Sequence, residues 1–164
     1  MGAKEMSAAN PLLDKRLINA FIDGVSKTMT TMANTHCEIG KPFVEKKFET
    51  KGDIAGLIGM VAGTMKGTMT ISYEKAAAFH VIKNMLDEDH TEISEEIIDA
   101  IGELTNMIYG TAKTTLNELG YNFEMAIPTV VVGNLKITSY HNGATLVIPF
   151  NSEGGKFFVE ITVQ

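Results

Sequence analysis

The stretch "DAIGELTNMIYGTAK", residues 99–113, lies in the middle of the longest amphipathic pattern of the chain. At about 100° per residue, an apolar stripe that should face the core falls within one narrow arc. Its members are Ile97, Ile101, Leu104, Ile108, Ala112, Thr115 and Leu119. Ser94 precedes the pattern as a side-chain cap, and Gly120 suits a C-terminal cap. The pattern therefore predicts a long helix between these two residues.

The opposite arc of this helix carries Asp99, Glu103, Asn106 and Gly110, and Gly102 lies four residues before Asn106. A solvated face would explain the acids and the amide. The two glycines would then be tolerated accidents or helix-packing sites, which is less expected because each glycine inside a helix costs about 1 kcal/mol relative to alanine. We therefore expect a cleared surface around Asn106 that a partner approaches closely.

Two further helices are predicted. Asn10-Pro11 indicates a helix start that continues to about Ala33, and a shorter helix spans Glu74 to Leu86. Three strands are expected between residues 38 and 73, two of them forming a hairpin, and four short strands are expected in residues 125–164. The C-terminal strands are separated by turn signals at Gly133-Asn134, Asn142-Gly143 and Gly154-Gly155.

This order of elements predicts an α+β fold with two long helices and one shorter helix on a mainly antiparallel β-sheet. Most strand connections are too short for the crossovers that parallel pairing needs. The length of 164 residues suits one domain, which we place at residues 10–164. Residues 1–9 are polar and are predicted to be a disordered leader.

Composition excludes several classes of function. The net charge is −6, and no basic run is longer than Lys46-Lys47, so a nucleic-acid partner is not expected. No apolar stretch approaches the roughly 18 residues of a membrane helix. Cys37 is the single cysteine, which favours a cytoplasmic location. The four histidines show no paired metal-ligand spacing, so we expect no metal held by this chain alone.

The first long helix weakly repeats the second. Residues 22–30 align without gaps to residues 98–106, with Asp23 opposite Asp99. Lys27 and Thr30 stand where the second copy has its glutamate and asparagine. Either two amphipathic helices match by chance, or a duplicated copy has lost its polar pair.

One motif extends beyond the helix. Asp99-x-x-x-Glu103-x-x-Asn106, followed 22 positions later by Pro128 in "AIPTVVVG", resembles the signature of the CheC/CheX/FliY family of chemotaxis phosphatases. With "NPLLDKRLINAFIDGVSKTM" at residues 10–29 and "DIAGLIGMVAGTMKGTMTISY" at residues 53–73, the single intact copy is most similar to the CheX branch.

The resemblance implies dephosphorylation of a phosphorylated CheY-type response regulator, with Glu103 and Asn106 as the catalytic pair. It also implies a homodimer and a Mg²⁺ ion that belongs to the regulator. Around the pair we expect partner contacts from Asp99, Gly102, Gly110 and Pro128. Asp99 either supports the helix surface or contacts the partner. Pro128 is either the entry of a strand beside the site or an ordinary edge-strand proline.

Two other functions stay open on the sequence alone. The chain is alternatively a non-catalytic binding or scaffold module related to flagellar switch proteins, although the intact pair of Glu103 and Asn106 argues against this. A small-molecule pocket is the third candidate, for which the sequence offers no phosphate-binding loop.

Overall fold

The computed structural model of this chain describes residues 12, 14–46, 49, 51–133 and 144–163. Several predictions fall outside these residues. They are the leader at residues 1–9, the helix start at Asn10-Pro11, the turn at Asn142-Gly143, and the second of the four C-terminal strands.

The described residues contain three α-helices, namely α1 (Lys15–Ala33), α2 (Lys75–Leu86) and α3 (Glu95–Glu118). Asp14 is the N-terminal cap of α1, since its backbone is extended and its carboxylate accepts a hydrogen bond from the Arg16 N–H at 2.9 Å. The cap of α3 is confirmed, since the Ser94 side chain accepts from the Ile97 N–H. In the described part of the chain, none of the helices combines the length and the apolar character that crossing a membrane requires.

The strands form one sheet in which every described pairing is antiparallel, as predicted. They are β1 (Cys37–Ile39), β2 (Phe43–Glu45), β3 (Ile54–Ala62), β4 (Met65–Tyr73), β5 (Thr129–Val132), β6 (Thr145–Ser152) and β7 (Gly155–Val163). Their order is β1-β6-β7-β4-β3-β5, and β2 also pairs with β6. The β3–β4 hairpin is confirmed, but the described residues form four strands rather than three before α2, because Cys37–Ile39 pairs with the end of β6.

Alternate residues of the strands join the helices in one hydrophobic core. Ile58 of β3, Ile71 of β4 and Val159 of β7 are at most 1% exposed and belong to the same cluster as Phe21 of α1 and Ile101 of α3. The intervening strand residues lie on the other face of the sheet, where the buried side chains are more polar.

Two close approaches fix α3. Thr105 lies so near the backbone of Gly56 in β3 that no side chain would fit at that glycine. On its other side, a Cβ added to Gly24 of α1 would lie 3.2 Å from the carbonyl oxygen of Ile108. The helix is therefore held by both the sheet and α1, and its remaining side faces away from both.

The predicted core stripe of α3 is right in its first five members and wrong in its last two. Thr115 is exposed and Leu119 is 39% exposed, whereas Leu116 is 1% exposed. Because α3 contacts both α1 and the sheet, its buried arc is also wider than one stripe and includes Ala100 and Tyr109.

Candidate functional site

The outward side of α3 presents three polar residues, Asp99, Glu103 and Asn106, all of them exposed. Among the residues that the structure describes, none forms a hydrogen bond or an ion pair with their side chains. Residues three and four positions apart are neighbours on a helix surface, so the carboxylate of Glu103 and the amide of Asn106 lie side by side. They are free to bind a group outside this chain.

These residues form one wall of an open groove of about 660 Å³. Gly102 lies in the same wall. The opposite wall is the segment of residues 125–128 together with Val130 of β5. Pro128 lies in this second wall and directly precedes β5. The fold therefore brings Asp99, Gly102, Glu103, Asn106 and Pro128 to a single groove.

The two glycines of the opening stretch lie in different surroundings. A Cβ added at Gly102 would lie 3.5 Å from Cγ2 of Val130, an ordinary contact across the narrow part of the groove. A Cβ at Gly110 would meet nothing within 4 Å. Gly110 lines a second groove, of about 370 Å³, between α1 and α3, where Lys27 and Met32 also lie. Only Gly102 therefore borders the groove that contains Asn106.

The segment that closes the groove is tied down just before the groove begins. The Asn117 amide nitrogen donates to the carbonyl oxygen of Phe123 at 3.1 Å, and the Phe123 N–H donates back to the Asn117 side chain. The Tyr109 hydroxyl donates to the carbonyl of Glu124 at 2.7 Å, and the Glu124 N–H donates to the carbonyl of Val61 at 2.9 Å. This wall of the groove is thus anchored to both α3 and β3.

Met125 and Ile127 are the functional candidates that sequence reasoning missed. Both are 88% exposed and line the groove. The sequence predicts a strand from about residue 125, whereas β5 begins only at Thr129. No local signal in the sequence distinguishes an exposed methionine from a buried one.

The weak repeat between the long helices has a structural counterpart. Position by position, residues 22–30 of α1 and residues 98–106 of α3 have the same sequence of buried, intermediate and exposed side chains. Asp23, Lys27 and Thr30 are exposed like their counterparts in α3. The two segments therefore bury and expose the same faces of their helices, and of the two only α3 presents the glutamate and the asparagine.

One cluster outside the groove has potential metal ligands that sequence spacing did not predict. Ligand atoms of Glu88, His90 and Glu96 lie within 4.8 Å of one another. The His90 Nε2 atom is 3.2 Å from a carboxylate oxygen of Glu96 and 4.0 Å from one of Glu88. These contacts tie the segment before α3 to the first turn of that helix.

Comparison with known proteins assigns the class of fold first. The chain is similar to the solved structure of a CheC-like superfamily protein from Shewanella sp. PV-4, at 39% identity and a TM-score of 0.86, covering 93% of this chain and 99% of that one. It is also similar to the chemotaxis protein CheX from Vibrio vulnificus, at 37% identity and a TM-score of 0.82, covering 90% of this chain and 99% of that one.

Sequence comparison then gives the family. The family model described as "Chemotaxis phosphatase CheX" matches residues 54–151. A relative from Thermotoga maritima, named CheY-P phosphatase CheX, is 30% identical over 141 residues, which cover 85% of this chain and 89% of the relative. The chain belongs to the CheX family of chemotaxis phosphatases.

Proposed function

We propose that this protein is a phosphatase that accelerates hydrolysis of the aspartyl phosphate on a CheY-type response regulator. One observation carries the proposal: Glu103 and Asn106 lie exposed, one turn apart, in one wall of an open groove. Membership of the CheX family and the name of the Thermotoga relative support the same substrate.

The chemistry requires little of this chain beyond geometry. An acyl phosphate already hydrolyses slowly within the regulator, whose own Mg²⁺ and lysine neutralise the phosphoryl charge. Water attacks phosphorus, the bond from phosphorus to the aspartyl oxygen breaks, and free aspartate and inorganic phosphate result. A helper protein accelerates this step by holding the water in line. In this mechanism the Mg²⁺ ion is bound by the regulator and not by this chain.

Asn106 supplies the geometry. A carboxamide does not act as a base near neutral pH, but its oxygen accepts a hydrogen bond from the attacking water and its NH₂ group donates to a second oxygen. Its side chain is short, so the backbone of α3 must come close to the regulator for the amide to reach the phosphoryl group.

Glu103 holds the complex in register. Its carboxylate forms an ion pair with the lysine of the regulator, which fixes the position of the amide one turn further along α3. Asp99, one turn earlier on the same exposed face, contributes a second negative charge to the contact with the partner.

Two glycines and a proline determine how closely the regulator can approach α3. Gly102 lies in the groove wall and leaves the backbone of α3 bare beside Glu103 and Asn106. Gly110 leaves open space one turn beyond Asn106. Pro128 lies across the groove, where its fixed φ holds the chain at the entry of β5.

The test is release of inorganic phosphate from a purified CheY-type regulator that carries the aspartyl phosphate, with and without this protein. Acceleration supports the proposal. A scaffold module would bind the phosphorylated regulator without acceleration, and a small-molecule binding protein would do neither.

We also propose a homodimer in the cytoplasm, as the family resemblance implies. Sedimentation velocity of the purified protein tests the dimer, since a monomer at every concentration would contradict it.

A further inference from the structure

Two apolar side chains stand unusually far out of this molecule. Met125 and Ile127 are each 88% exposed, whereas the other exposed large hydrophobic side chains of the described residues are at most 54% exposed. Single exposed apolar residues are common, but two of them alternating along one segment form a patch. This patch lies beside the groove that contains Asn106.

The patch is held in place rather than hanging from a loose loop. On its N-terminal side, Glu124 is hydrogen-bonded to Tyr109 and to Val61. On its C-terminal side, Thr129 pairs with Leu57 of β3. Between the two displayed residues, Ala126 packs against the core and so turns both neighbours outward. Because the patch is already ordered, little conformational entropy is lost when a partner covers it.

The groove thus has two chemically different walls. One wall carries the carboxylates of Asp99 and Glu103 and the amide of Asn106, and the other carries the patch. Buried apolar anchors beside polar contacts are the usual arrangement of a protein–protein interface. A partner that fits both walls has an apolar surface next to a basic group.

We propose that Met125 and Ile127 are the apolar anchors that dock the phosphorylated response regulator, and that they set its affinity while Asn106 sets the rate of the chemical step. This inference rests on the proposed function and extends it from the catalytic pair to the surface beside it. The occupant is the regulator itself, because the patch is continuous with the groove into which its phosphoryl group must enter.

The test is steady-state hydrolysis of a CheY-type regulator that was phosphorylated with acetyl phosphate and then freed of the donor. Met125→Ser and Ile127→Ser are compared singly and together with the parent protein. Val44→Ser is the matched control, because Val44 is 54% exposed on β2, at the opposite edge of the sheet from β5. Met125→Gln is a second variant that keeps the length of the side chain.

Burial of one such side chain strengthens binding about tenfold or more. We therefore expect KM to rise about tenfold in each single variant and about a hundredfold in the double variant, with kcat within twofold of the parent. The control should keep both parameters. Unfolding temperatures should not change, because the substituted side chains contribute almost nothing to the core.

Two outcomes overturn the inference alone: an unchanged KM in the double variant, or a fall in kcat at constant KM. A change in sedimentation at constant KM would assign the patch to a second copy of this chain instead. A parent protein that releases no phosphate from the regulator overturns the proposed function, and the inference falls with it.

Discussion

Gly102 of α3 faces Val130 of β5 across the groove, and a methyl group at Gly102 would make ordinary contact with it. A Cβ at Gly102 would lie 3.5 Å from Cγ2 of Val130, which is ordinary contact. Alanine would therefore fit and would strengthen the helix by about 1 kcal/mol. Packing therefore does not require glycine at this position, which agrees with the proposed close approach of the regulator to the backbone beside Asn106.

Substitution of Gly102 tests this explanation. Gly102→Leu should abolish accelerated dephosphorylation and leave the circular dichroism spectrum unchanged, because the leucine would project over the groove. Gly110→Leu is the matched comparison, since that position also lies four residues from Asn106 but borders the second groove. We expect a smaller loss there. Full activity in both variants would contradict the role of the bare backbone.

Asn106→Ala should lower the stimulated rate of dephosphorylation by about 10² or more, the usual cost of losing one positioning group. The helix repeat offers a matched control. Thr30 of α1 has the same exposure at the equivalent position, so Thr30→Ala should keep the parent rate. The rates are followed by phosphate release. Parent-like hydrolysis by Asn106→Ala would show that the amide does not position the water.

Much of the fold was predictable because it depends on local pattern. The ends of α2 and the N-terminal cap of α3 follow from capping residues and helical spacing, and the β3–β4 hairpin follows from alternation around a glycine. The structure differs from the sequence prediction where contacts between elements determine strand formation or burial. Cys37–Ile39 becomes a strand only because β6 lies beside it, and Leu116 replaces Leu119 in the core because α3 is packed on two sides.

The site was predictable only in part, for a similar reason. Asp99, Glu103 and Asn106 share one helix, so spacing alone places them on one face. The second wall of the groove comes from residues that lie about twenty positions later and are positioned by Asn117 and Tyr109. No periodicity in the sequence shows that Met125 and Ile127 face outward there.

Glu103→Gln should raise KM for the phosphorylated regulator about tenfold, because it removes one charge of an ion pair at the interface. The dependence of KM on salt should weaken in the same variant, since salt screens charge pairs. Glu118→Gln is the control, as Glu118 is an exposed acid at the other end of α3. If KM and its salt dependence match the parent, Glu103 does not contact a basic group of the partner.

The face of the sheet away from the helices contains a carboxyl group that should make stability depend on pH. Glu160 of β7 is fully buried, its Oε1 accepts a hydrogen bond from Ser72 at 3.1 Å, and its Oε2 lies 3.8 Å from the Lys51 ammonium. Burial raises the pKa of Glu160 from 4.5 to about 7, and the facing Glu45 carboxylate adds to the effect, while Lys51 and Ser72 oppose it.

The folded protein therefore keeps the proton of Glu160 over a range in which the unfolded chain has lost it. Between pH 4.5 and about 7 the folded state binds more protons, so this group makes the free energy of unfolding fall as pH rises, by roughly 3 kcal/mol in total.

Glu160→Gln removes the ionisation and keeps the shape of the side chain. Thermal unfolding should show the variant equal to the parent near pH 4.5 and several degrees more stable at pH 8. Glu153→Gln, at an exposed acid in the β6–β7 turn, should show no such pH-dependent difference. A Glu160→Gln variant that gains nothing at pH 8 would mean that the Lys51 ion pair offsets the cost of burying the charge.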